Sequence, residues 1–79
     1  MTIKVSRTTN VSSLYGCILT TLEQQQVAEV CAVGASALNQ MFKAIALVCV
    51  KRGINTRCTP KLSKNEDGVT FCIMLLEVV

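Results

Sequence analysis

The sequence predicts an α/β chain of the two-layer, α+β sandwich type, with six elements in the order βαβαββ. Three observations carry that expectation. Two amphipathic helical segments are separated by a short β-branched run, VAEVCAV. Two strand-like runs at the C-terminal end flank a polar segment that closes on Asp67-Gly68, the signature of a hairpin. Finally, 79 residues fit one domain, and 51% hydrophobic residues against 16% charged ones are a globular composition.

Taken in order, Thr2 to Ser6 alternates, with Ile3 and Val5 on one face, and reads as a short first strand. Thr8, Thr9 and Asn10 follow as capping residues, because their side-chain oxygens accept the free amide hydrogens of a first helical turn. Val11, Leu14, Tyr15, Ile18 and Leu22 then fall on one face of a helix ending near Gln25. Val27 to Val33 is short, β-branched and bounded by Gly34, so it reads as a strand.

A second helix is expected from about Ser36 to Arg52. Leu38, Met41, Phe42, Ile45 and Cys49 form its core stripe, Lys51 and Arg52 suit the negative end of its dipole, and Gly53 stops it. Ile54 to Thr59 reads as a third strand, with Pro60 at its end or on a sheet edge. Lys61 to Gly68 is a polar loop, and Val69 to Val78 is the longest strand, antiparallel to the third.

Two features ask for more than a monomer's core. The outer face of the second helix is polar at first, with Ser36, Asn39, Gln40 and Lys43, and turns apolar at Leu47 and Val50. The last strand is apolar on both faces, Val69, Phe71, Ile73 and Leu75 on one, Cys72, Met74, Leu76 and Val78 on the other. A sheet covered on one side should show polar alternation there. The economical cover is a second copy of the chain, with Leu47, Val50, Met74 and Leu76 as its contact residues.

The catalytic inventory is thin. There is no histidine, and the carboxylates are Glu23, Glu29, Glu66, Asp67 and Glu77, with no plausible acid–base pair. Five cysteines at 17, 31, 49, 58 and 72 form no CxxC, so neither a disulfide framework nor a metal site is expected, and they read as buried thiols. No GxGxxG or Walker spacing points to a nucleotide cofactor, and no cofactor or small-molecule substrate is expected. No run resembles a membrane span or a signal peptide, so the chain reads as cytoplasmic.

The net charge of +3 permits an acidic partner without demanding one. A strand, a glycine and a helix start form a natural anion site, although close packing at the strand-to-helix turn explains Gly34 and the alanines better. The two strand-to-helix turns of a βαβα unit open on one sheet edge, which puts Arg7 near the Gly34–Gln40 turn. From the residues alone, a binding edge and an ordinary solvated surface stay equally open.

The stretch GASALNQMFKAIA, with IKVS before it and RCTP after it, resembles the stage V sporulation protein S family. Gly34, Ala35, Ala37, Leu38, Asn39, Gln40, Lys43 and Ala44 carry that likeness. The resemblance implies an Alba-like fold, a four-stranded mixed sheet with two helices on one face. It further implies a non-enzymatic regulator of sporulation or development, a homodimer, and DNA or RNA binding by analogy with Alba-type chromatin proteins. On that reading Arg7, Thr8 and Asn10 supply one turn of the interface, and Ser36, Asn39, Gln40 and Lys43 the other. The alternative is a protein-interaction module without nucleic acid. Alba-type proteins carry a basic hairpin arm, whereas this one mixes Lys61 and Lys64 with Glu66 and Asp67.

Overall fold

A computed structural model describes residues 2–79. Its elements are β1 (Thr2–Val5), α1 (Val11–Gln25), β2 (Val27–Ala32), α2 (Ala35–Arg52), β3 (Thr56–Lys64) and β4 (Thr70–Val78). They build one four-stranded sheet in the order β1-β2-β4-β3, with β1 parallel to β2 and both other pairings antiparallel. The βαβαββ order and the mixed sheet are those the sequence predicts.

The topology explains why one face of the sheet is bare. β3 runs parallel to β2, since each is antiparallel to the β4 between them. Both crossovers, β1 to β2 and β2 to β3, therefore move the same way across the sheet. Right-handed crossovers in one direction put both helices on the same face. Burial follows this division. Ile3, Val5, Ala28, Val30, Ala32, Met74 and Leu76 point under the helices and are buried. Lys4, Glu29, Cys31, Phe71, Ile73, Leu75 and Glu77 alternate with them on the open face, exposed or half-buried.

α1 starts at an Asn10 cap, whose Oδ1 accepts from the Ser13 amide at 3.1 Å. It buries Leu14, Ile18 and Leu22, with Val11 and Tyr15 packed beside them, as the helical spacing predicts. In α2 the buried stripe is Ala37, Met41, Ala44, Ile45 and Val48. This corrects the expected one. Met41 and Ile45 hold, Leu38 and Cys49 are half-buried at its margin, and Phe42 is 55% exposed. The alanines win the central line because a small side chain lets the helix approach the sheet, and the larger Phe42 is left on the flank.

β3 is longer than the sequence suggests, continuing through Pro60 to Lys64, where a polar loop was expected. Pro60 lies opposite Met74 in the register of an edge strand, where a missing amide donor is tolerated. The hairpin tip is an Asn65-centred turn. Asn65 Oδ1 accepts from the amides of Asp67 and Val69, and the Gly68 amide donates to the Asn65 carbonyl.

Two further expectations are overturned. Met74 is 4% exposed and Leu76 fully buried, so neither can be a dimer contact; the apolar residues on the other face of β4 are Phe71, Ile73 and Leu75. None of the five cysteines is in the core: Cys17 and Cys58 are exposed and the others half-buried, all of them free. Cys17 lies on the solvent side of α1, Cys31 on the open face, and Cys58 on the part of β3 that neither helix covers. No helix among the described residues is long and apolar enough to cross a membrane.

Leu76, at the centre of the sheet under both helices, tests this layering. Leu76→Ala should lower the stability measured by urea unfolding by about 2–5 kcal/mol, the range for a truncated core leucine.

Candidate functional site

The two strand-to-helix turns meet at one sheet edge. In the first, Ser6 to Asn10, hydroxyls and backbone amides are tied into one network. The Ser6 amide donates to Thr9 Oγ1 at 2.8 Å, the Thr8 amide to Ser6 Oγ at 3.3 Å, and the hydroxyls of Ser6 and Thr8 lie 3.0 Å apart. This network fixes a turn from which Arg7 projects into solvent. Asn10 spends its carbonyl oxygen on the α1 cap, which leaves its amide nitrogen for other contacts.

The second turn is built differently. Gly34 caps α2 without any side-chain hydrogen bond, at φ 87° and ψ 163°. A Cβ at Gly34 would meet no atom within 4 Å, so backbone conformation, rather than the close packing expected from sequence, requires glycine there. Ala37 and Ala44 do serve close packing, both being fully buried. Ser36, Asn39 and Lys43 follow one another along the exposed side of α2.

Gln40 joins the two turns. Its Nε2 donates to the Thr9 carbonyl at 3.2 Å, across 31 residues of sequence. At the other end Arg52 meets Glu23 at 3.4 Å, an ion pair with both side chains half in water that adds little stability. The helices thus lie side by side with both starts on one edge. Gln40, expected as a partner-facing amide, spends its amide nitrogen on this tie. Leu47 lies on the same flank as Gln40 and Lys51, whose ammonium sits 5.9 Å from the centre of the Tyr15 ring, and it is half-buried.

The sequence reading did not place the hairpin tip here. Ala32 pairs with Cys72 and Lys64 with Thr70, which brings the Asn65–Gly68 turn to the same edge as both helix starts. Glu66 and Asp67 therefore share that edge with Arg7, Lys43 and Lys64. A cleft of about 350 Å³ opens between tip and sheet, lined by Lys4, Val5, Cys31, Val33, Asn65 and Phe71. Burial raises the Cys31 thiol pKa against the opposing pull of Lys4.

The class of protein defined by this arrangement is a small α+β sandwich that presents two helix starts and a hairpin tip on one polar edge. The chain belongs to the stage V sporulation protein S (SpoVS) family, whose family model matches residues 1–71. It is accordingly a sporulation-related protein. The comparison with curated proteins returns no match.

The cap at Asn10 holds the first turn in place. Asn10→Ala should cost about 1 kcal/mol in chemical denaturation, the usual worth of an N-cap, while Asn10→Asp should retain most of it.

Proposed function

We propose that this chain is a non-enzymatic, dimeric regulator that binds nucleic acid through the edge formed by its two strand-to-helix turns. The observation that carries the reading is the Gln40–Thr9 hydrogen bond, which holds the turns together as one surface. Arg7 and Lys43 are exposed on that edge and form no ion pair among the described residues, so both are available to phosphates. Thr8, Asn10, Ser36 and Asn39 add neutral hydrogen-bonding groups that position a backbone without reading sequence.

The dimer contact fits a surface other than the one expected from sequence. Beyond its first residue, Thr56, which meets Cys49 of α2, the helix side of β3 is uncovered. There Cys58, Pro60 and Leu62 are exposed beside the flank of α2, which carries Phe42. Leu62 is 77% exposed and Phe42 55% exposed. A second copy would cover this apolar corner. Of the expected dimer residues only Val50 is exposed, on the outer side of α2 near its C-terminal end rather than in this corner.

A second reading, a polypeptide partner in place of nucleic acid, draws support from Glu66 and Asp67 on the same edge, since both repel phosphate. Gel shifts with duplex DNA, single strands and RNA separate the two. Contacts to about three phosphates per protomer predict a slope of log affinity against log salt near −2.7 on duplex DNA. The double variant Arg7→Ala/Lys43→Ala should flatten that slope to roughly −0.9. Binding indifferent to both salt and these substitutions refutes the contact surface, and no shift with any nucleic acid favours the polypeptide.

For the dimer, Leu62→Glu or Phe42→Glu should give folded monomers by light scattering with unchanged circular dichroism. Met74→Glu should instead unfold the chain, because it puts a charge in the core. A monomeric wild type rules the dimer out.

A further inference from the structure

The cleft beside the hairpin tip has features that a duplex-binding edge does not use. Its lining includes Phe71 and Val33, side by side at the end of the β2–β4 pairing. Phe71 is one of only three aromatic residues in the chain, and it is half-buried on the open face with no helix above it. Val33 is 49% exposed beside it. Lys4, exposed on β1, stands at the opposite wall, two residues before the Ser6–Asn10 turn that presents Arg7. Lys61 lies in the same cross-strand row, because Lys4 pairs with Cys31, Cys31 with Ile73, and Ile73 with Lys61. Asn65, on the third side, uses its side-chain oxygen within the turn, which leaves its amide nitrogen as a donor.

An aromatic face in an open sheet, flanked by cations and a free amide, is the chemistry that accepts an unstacked base. A volume of about 350 Å³ has room for one base, and only a base freed from its helical stack can enter it. We propose that this cleft is a base-binding subsite for single-stranded nucleic acid, in which one extruded base stacks on Phe71. Lys4 and Arg7 hold the adjoining phosphates. This rests on the nucleic-acid reading of the edge and specifies its ligand as a single strand. The acidic residues fix the strand's course. Glu66 and Asp67 at the tip repel phosphate, so the backbone follows the Lys4–Arg7 side and the base points toward the hairpin. An apolar partner peptide would gain nothing from Lys4 and Lys61, whereas a polyanion gains from both.

The test uses the whole chain and fluorescence anisotropy with a labelled oligothymidine 12-mer, a 12-base-pair duplex and a single-stranded RNA of the same length. The single strands should bind more tightly than the duplex. Phe71→Leu should weaken single-strand binding about tenfold, the scale of one lost base stack, and leave duplex binding unchanged. Phe71→Tyr, which keeps the ring, should retain affinity and guards against a simple folding defect. Lys4→Gln should reduce the salt slope on single strands by about 0.7. If duplex binding persists while Phe71→Leu leaves single-strand affinity intact, the subsite is wrong and the edge reading stands. If no nucleic acid binds, both fall.

Discussion

The direction in which the chain crosses its sheet decides most of what this molecule presents. Both crossovers step the same way, β1 to β2 and then β2 over β4 to β3. With right-handed connections, that single choice places both helices on one face and both helix starts on one edge. It also leaves the opposite face bare. Because the second step skips a strand, β3 lies at the far edge of the sheet, and beyond Thr56, which meets Cys49 of α2, its helix side is exposed. The polar edge, the open face and the apolar corner all follow from one topological decision.

Packing this small requires economy. Near 80 residues a core supplies little surplus stability, and here it is almost wholly aliphatic. Ala28 and Ala32 on β2 face Ala37 and Ala44 on α2 as buried residues of one cluster. Small side chains on strand and helix let the layers approach closely, so that Met41, Ile18 and Leu22 fill the remaining space and are almost completely buried. The larger apolar groups are displaced to the margins. Phe42, the largest apolar group on α2, is 55% exposed for this reason.

What was legible in the sequence, and what was not, divides along the same line. Element order, both helices and the stripe Leu14, Ile18, Leu22 could be read because periodicity records one-sided burial. β4 gave its alternation but not its orientation: both faces are apolar, so periodicity could not say that Met74 and Leu76 point inward. The length of β3 was hidden because an edge strand tolerates polar residues and proline. The cysteines misled because a thiol suits either side of a boundary. Around the candidate site, the joining of the two turns was legible from topology. Gln40 was not, because an amide that ties two segments looks, in sequence, like an amide awaiting a partner. The position of Glu66 and Asp67 needed the strand register.

The polar edge is nearly balanced in charge, and this limits what kind of recognition it supports. Arg7, Lys43 and Lys64 face Glu66 and Asp67 along one rim, so the long-range field there is weak and steering contributes little to encounter. Most of the remaining donors are neutral, namely the Asn10 amide, Asn39, and the hydroxyls of Thr8 and Ser36. Such groups act over hydrogen-bond distances only, and they reward a partner whose shape brings its acceptors to them. The Gln40–Thr9 tie then matters for a geometric reason. It fixes the spacing between the two sets of donors, and a ligand spanning both turns meets a preorganised surface instead of two loops it must order at the cost of their entropy. Any partner such an edge took under the proposed reading would therefore be selected by fit more than by charge, unlike a basic coat built for any stretch of duplex.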